Sequence, residues 1–462
     1  MSYGVLIDLR GIQEYIFSSN RLKDNIGASY LVSHFFVGID DTKVKQKVDG
    51  GGNLFCVVDS KENARDLIRE LSEKVLTEMP GLTFSAIYGV YDPEKMEIEP
   101  FWKCLQKEKQ KRNQVSIIPS FGINSQCSAT ALAAEYVTED GNLSGVVKAK
   151  RDSAEKGNKK NEEDFGDVLE NQFDFAYEFS DLATQKGIES NIAIVHIDGN
   201  DMGKLFSKCN DLSAYQELSK KVNNANVDAF RNMLVFAVDK ILRKDWKYYK
   251  KYLTKSKNGR KCLPIRPIFI GGDDVTFVCE GRMGIPLAIE FIEQIDKLSE
   301  KKYNCCAGIA VVNEKYPFYQ GVQMAQSLCS QAKKKRIKEQ DDDKAYIDFQ
   351  LINSSTCDPL EEIRKQYKRE GKDLYEKPYN LEELKEQLKH AELLRKWPRS
   401  KVKELRDVIF KNKEAIDAFE LQIQARGDLE YPLLEDDKKL YPVSHKYPDI
   451  IELMELIPDG GK

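Results

Sequence analysis

The chain has 462 residues, 41% hydrophobic and 32% charged, enough apolar side chain for several cores, which excludes wholesale disorder. Its 71 Lys and Arg against 75 Asp and Glu give a net charge of −4. That lacks the basic excess with which a protein grips bare nucleic acid by charge alone, so any such contact is local or shared with a partner. The opening MSYGVLIDLRG has no basic leader, and no apolar run approaches a membrane span. A cytoplasmic protein without membrane association is expected. Ten cysteines occur without a CxxC spacing, mostly inside apolar runs, and read as reduced core thiols. The four histidines are scattered, so a His-based nuclease or hydrolase site is not expected.

In chain order, Tyr3–Leu9 reads as a buried strand, Gly11–Phe17 as a short helix, and Ala28–Val37 as a helical face. Gly50-Gly51-Gly52-Asn53 is a hairpin turn leading into a strand at Leu54–Val58, since glycine supplies positive φ. Asn63–Val75 is helical and Thr83–Val90 is a strand. Val147–Asp164 is dense in charge and nearly free of apolar residues, which predicts an exposed, mobile linker.

The order then repeats. Ile192–Asp198 is a strand, a helix starts over Asp201–Phe206, and Leu212–Leu242 is a long helix. Ile268–Ile270 enters the turn Gly271-Gly272-Asp273-Asp274, and Val275–Cys279 leaves it. Ile285–Leu298 is helical, Cys305–Val312 a strand, and Gln320–Lys333 a final helix, followed by a second charged stretch, Lys333–Lys344. A β-α-α-β-turn-β-α-β unit occurring twice predicts an α+β fold with two ferredoxin-like, palm-type domains. The remainder is mainly helical over Leu360–Leu421, with a new helix N-cap at Trp397-Pro398-Arg399-Ser400 and a loosely packed tail from about Gly427. The expected domains are a degenerate first palm (1–100), an inter-palm helical and linker region (101–190), a second palm (191–350) and a helical C-terminal domain (351–462).

The chemistry concentrates at Ile197-Asp198-Gly199-Asn200-Asp201 and at Gly271-Gly272-Asp273-Asp274. In an antiparallel palm the two strands are neighbours, so Asp198, Asp273 and Asp274 converge. Packed carboxylates repel unless a divalent cation neutralises them, and Mg²⁺ prefers oxygen ligands of this kind plus substrate phosphates. Gly271 and Gly272 let a nucleotide approach the backbone. Gly-Gly-Asp-Asp also suits a plain hairpin turn. Lys333 could hold a phosphate of the leaving pyrophosphate, or be one more solvated lysine of its run. In the first unit Asp8 aligns with Asp198, but Gly50–Asn53 lacks the acidic pair, so metal chemistry is not expected there and Asp8 reads as a capping or turn residue. Gly27-Ala28-Ser29, with the glycine turn, could bind a second nucleotide through Ser29.

Asp8-Leu-Arg-Gly11-Ile12-Gln13-Glu14-Tyr15-Ile16-Phe17 with Gly27-Ala28-Ser29, together with Asp198-Gly-Asn-Asp201-Met202-Gly203, Gly271–Asp274 and Ala332-Lys333, resembles the two palms of the large polymerase/cyclase subunit of type III CRISPR effector complexes, the Cas ten family. The resemblance implies that ATP is joined 3′-5′ into cyclic oligoadenylates for antiviral defence, one ATP in each palm, with Mg²⁺ or Mn²⁺ held by Asp198, Asp273 and Asp274 and phosphate by Lys333. It also implies guide RNA–protein effector subunits and target RNA as partners. The chain has no adjacent His-Asp pair and only Cys104 and Cys127 between the two units, so neither the family's nuclease chemistry nor its four-cysteine zinc site is expected. A scaffold subunit of an RNA-guided complex, and a template-directed polymerase or diguanylate-type cyclase, are the competing readings. A mobile linker would leave the two palms to be aligned by such a partner.

Overall fold

The computed structural model describes residues 2–458 except 40–42, 93–97, 111–121, 131, 183–189, 210, 244, 247–248, 250–252, 354–356 and 426–438. The N-terminal unit runs β1 (Ser2–Arg10), α1 (Ile12–Phe17), α2 (Leu22–Ser33), β2 (Val44–Gly50), β3 (Asn53–Val58), α3 (Lys61–Glu78), β4 (Thr83–Tyr91) and α4 (Glu99–Gln110). Its antiparallel sheet has the order β2-β3-β1-β4. Strand side chains alternate between faces. Val5, Ile7, Leu54 and Cys56 therefore pack with Ile16, Leu31 and Leu67, while Leu6, Phe55 and Val57 pack with Phe101 and Leu105 of α4.

Val147–Asp164 is not an exposed linker. It forms α5 (Gly145–Asp152) and α6 (Ala154–Phe165), both seated on α2. A Cβ on Gly27 would lie 1.7 Å from the carbonyl oxygen of Lys150, and one on Gly157 would lie 2.9 Å from that of Ile26, so the backbones touch where glycine permits it. Lys150 is 2% exposed; its ammonium donates to the Tyr15 carbonyl at 2.5 Å and to Ser18 Oγ at 2.9 Å. Arg151 pairs with the buried Asp24 at 2.9 Å. The charge-rich sequence concealed this packing because it is built from glycine contacts and buried polar bonds, and an apolar stripe contributes little.

The central unit repeats the first: β5 (Asn191–Gly199), α7 (Met202–Phe206), α8 (Leu212–Arg243), β6 (Ile265–Gly271), β7 (Asp274–Glu280), α9 (Gly284–Leu298), β8 (Cys305–Asn313) and α10 (Phe318–Glu339). Its sheet starts with the equivalent order β6-β7-β5-β8 and adds two strands that the sequence reading missed, β9 (Tyr346–Leu351), parallel to β8, and the short β10 (Tyr379–Asn380). α10 also continues through the charged run to Glu339.

The C-terminal part contributes α11 (Leu381–Leu394), α12 (Arg399–Val408), α13 (Lys413–Gln424) and α14 (Tyr447–Leu456). The N-cap of α12 is Pro398, within the segment expected to start a new helix, and it makes no side-chain cap. The tail is not loosely packed either. Residues 426–438 lie outside the described set, but Tyr447, Ile450, Ile451 and Leu453 of α14 are buried in the largest core. Two acids on α14 anchor it. Asp449 accepts from the Tyr379 hydroxyl at 2.7 Å and Glu376 N at 2.8 Å. Glu452 accepts from Lys377 Nζ and from Leu351 N, each at 2.5 Å. Among the described residues no helix is long and apolar enough to cross a membrane.

Candidate active site

The antiparallel pairing of β5 with β7 sets Asp198 directly opposite Asp274, and Gly271 pairs with Asp274 across the hairpin. Gly272 and Asp273 are thus the turn residues. Gly272 has φ +62, a conformation that costs glycine little. The Gly199 N–H donates to the Asp273 carbonyl at 3.1 Å, bringing the turn back over the end of β5. In the N-terminal unit Gly51 and Gly52 hold φ +59 and +82, and the two turns meet: a Cβ on Gly272 would lie 3.2 Å from Gly51 Cα. Helix α8 holds both, Asn226 Nδ2 donating to the Gly272 carbonyl at 2.7 Å and Ser219 Oγ to that of Asp49 at 3.2 Å.

Asp198, Asp273 and Asp274 therefore share one end of the central sheet, each differently held. Lys333 Nζ pairs with Asp198 Oδ2 at 2.7 Å and donates to the Gly199 carbonyl at 2.8 Å. Burial opposes the charge of Lys333, but the Asp198 carboxylate outweighs it and holds the ammonium above the ordinary lysine value. Asp274 Oδ2 accepts a hydrogen bond from Gln13 Nε2. Its Oδ1 is buried without a hydrogen-bond donor, 3.3 Å from Nδ1 of His196. Burial pushes His196 down to about 4, so the ring is neutral near pH 7, and Nδ1 lies 3.0 Å from Thr276 Oγ1. Burial, then the negative charge of Asp198, raises the carboxyl of Asp273; burial, Asp198 and Asp273 raise that of Asp274 well above the usual range.

Among the described residues no group of three or more His, Cys, Asp or Glu side chains is arranged to hold a metal ion. Lys333 and Gln13 occupy two of the three carboxylates. The donor set nevertheless suits a divalent cation. Asp274 presents an unpartnered buried oxygen, and the mutual repulsion of three carboxylates is what an oxygen-seeking cation relieves.

The N-terminal unit places Asp8 opposite Asn53, as Asp198 stands opposite Asp274. Asp8 is therefore a strand residue of the sheet end and neither a capping nor a turn residue. It pairs with Lys109 of α4 at 2.5 Å, as Asp198 pairs with Lys333 of α10. Lys109 escaped the sequence reading; extending the repeat by one helix would have found it. Ser29, Gly51, Gly271 and Gly272 line a cavity of about 400 Å³ between the two turns, within the size range of small-ligand sites. Gly27 does not line it, because that glycine faces Lys150, and Ala28 is buried. On the other side of the turn contact, Asn53, Gly203, Tyr215 and Asp273 line a second cavity of about 240 Å³. Asp201 stands apart from the other carboxylates, pairing with Arg336 and, at 2.8 Å, with Lys204.

The family model for the Cas10/Cmr2 second palm domain matches residues 191–341, from the start of β5 through α10, with Asp198, the Gly271–Asp274 turn and Lys333 inside. This segment is similar to a Cas10/Cmr2 second palm. No curated protein matches the chain. Among solved structures, a Csm1–Csm4 cassette in complex with cA3 superposes with a TM-score of 0.57 at 11% identity, covering 99% of this chain and 70% of that one. The same cassette with one ATP gives 0.53 at 12%, covering 99% and 70%. A Csm1–Csm4 subcomplex of the type III-A CRISPR-Csm interference complex gives 0.50 at 12%, covering 98% and 70%. At these identities the likeness is one of fold, and it extends over nearly the whole chain, beyond the second palm itself.

Proposed function

We propose that the chain is a cyclic oligoadenylate synthase of type III CRISPR defence, using ATP at the second palm with the N-terminal unit as a degenerate first palm. The observation that carries this reading is Asp198 opposite Asp274, with Asp273 in the adjoining turn, inside the segment that matches the Cas10/Cmr2 second palm. The similar cassettes bound to ATP and to cA3 support ATP as substrate, and those bound to Csm4 support an effector-complex partner.

Asp198, Asp273 and Asp274 would hold Mg²⁺ or Mn²⁺. Bound there, the cation supplies positive charge to the triphosphate and lowers the cost of ionising an attacking hydroxyl. The chain's own groups do the rest. Gly271 and Gly272 expose backbone to the triphosphate, and Ser29 offers a hydroxyl from the facing side of the cavity. Lys333, released from Asp198 when the carboxylate takes a new partner, places its ammonium on the departing phosphates. The 3′-oxygen of one ATP bonds to the α-phosphorus of the other, the bond to pyrophosphate breaks, and the hydroxyl proton leaves to solvent.

The test is Asp273→Ala with Asp274→Ala, assayed with labelled ATP and Mg²⁺ and with mass spectrometry of the products. Turnover should fall on the order of 10³-fold or more while the protein stays folded, because the double variant relieves like-charge repulsion at a turn. Full synthesis by the folded double variant would overturn the assignment of this site, and no synthesis by the wild type would favour a scaffold.

A further inference from the structure

We infer that Gln13 is a positioning residue through which the N-terminal unit sets the orientation of Asp274 in the second palm. Gln13 stands on the first turn of α1. That helix begins at Gly11, held at φ +62, and is fixed in the N-terminal core by the buried Tyr15, Ile16 and Phe17. From there Gln13 reaches across the unit boundary, 261 residues along the chain, and its Nε2 donates to Asp274 Oδ2. The carboxylate dictates the amide orientation, because the opposite one would set oxygen against oxygen. Gln13 Oε1 is left buried with no donor, a cost that a freely placed glutamine would avoid.

The pseudo-repeat shows that this contact is one-sided. The equivalent helix start in the central unit is Asp201, at φ +54, followed by Met202 and Gly203. Gly203 therefore stands where Gln13 stands. A Cβ there would meet nothing within 4 Å, and the vacant space is part of the 240 Å³ cavity facing Asn53. A side chain reaches the acidic turn, while the glycine turn faces open space. With Oδ2 held by the Gln13 amide and Oδ1 buried 3.3 Å from His196 Nδ1, the Asp274 carboxylate is fixed from both sides. The carboxylate geometry of the second palm is thereby tied to the docking of the first unit, and Gln13 acts through Asp274.

The inference rests on the proposed metal-dependent reading, and the experiment separates the two. Mn²⁺ binding to the full chain is measured by electron paramagnetic resonance for the wild type, Gln13→Met, Gln13→Asn and Asp274→Asn, alongside thermal melting. Gln13→Met keeps length and volume without the donor, and Gln13→Asn keeps the amide but withdraws it by one carbon. Both should weaken Mn²⁺ binding about 10-fold, the equivalent of about 1.4 kcal/mol, and raise by a similar factor the Mn²⁺ needed for half-maximal turnover. Asp274→Asn should weaken binding further. If either Gln13 variant folds and binds Mn²⁺ as the wild type does, the inference fails while the metal-dependent reading stands. If the wild type binds no Mn²⁺, or Asp274→Asn binds it unchanged, both fail.

Discussion

Lys150 offers a sharp test of how the helices between the two units are held. Its ammonium sits under α1, donating to Tyr15 O and Ser18 Oγ, 4.3 Å from the centroid of the Tyr15 ring. Burial lowers its pKa from 10.5 to about 8. Between those values the unfolded chain binds a proton that the folded chain has released, so stability must rise with pH across this window. Below pH 8 the full cost of the buried charge is present, and it is relieved as pH climbs. At about 1.4 kcal/mol per unit, the gain from pH 7 to pH 10 is about 2–3 kcal/mol. Lys150→Met removes the titration together with two hydrogen bonds. The loss of a donor to a buried carbonyl, about 1–3 kcal/mol, should offset much of the relief at pH 7. The variant should therefore match the wild type near neutrality and fall behind it by about 2–3 kcal/mol at pH 10. Calorimetric unfolding of both proteins at four pH values from 7 to 10 reads this difference directly, because the other titrating groups are common to the pair. Parallel stability profiles would show that Lys150 is solvated and that the region is the open linker its composition suggested.

Two further outcomes follow from the same geometry. Gly27→Ala forces a methyl group to within 1.7 Å of the Lys150 carbonyl; backbone stands on both sides and cannot yield as a side chain would. Urea unfolding should show a loss of about 3 kcal/mol, with faster tryptic cleavage after Lys150 and Arg151, and an unchanged midpoint would refute the close approach. Asp8→Asn should slow ATP turnover far less than Asp198→Asn, because Asp8 faces Asn53 where Asp198 faces Asp274. Equal losses in steady-state kinetics would mean that the N-terminal sheet end is itself a catalytic centre.

The strands and helices of the repeat were legible because their apolar spacing is regular and because glycine turns punctuate both units. The convergence of Asp198, Asp273 and Asp274 followed from one inference, that the two strands are neighbours, and the register shows them so. What escaped was carried by other physics. α5 and α6 bury charged side chains and touch α2 through glycines, so their sequence imitates a solvated segment. α14 is anchored by Asp449 and Glu452, whose partners lie about 70 to 100 residues upstream. The link from Gln13 to Asp274 is visible in the sequence as a motif but not as a contact, since nothing local connects positions 261 residues apart. The expectation that a partner must align two loosely joined units lost its premise once the joining segment proved to be packed helix.

The anchoring of α14 has a consequence for how the chain is made. Leu351 N, on β9, finds its acceptor in Glu452, 101 residues later, and Lys377, only 4% exposed, finds its counter-charge on the same carboxylate. At roughly 5–20 residues per second of synthesis, β9 is complete on the ribosome for roughly 5–20 s before the helix that satisfies it exists. During that interval the palm strands β5 to β8 already have their ladder partners, while the sheet beyond them waits with a donor and an ammonium unmet. The nascent protein thus has the half that carries Asp198, Asp273 and Asp274 assembled first and its far side exposed last, and it is at that far side that a chaperone would find something to hold.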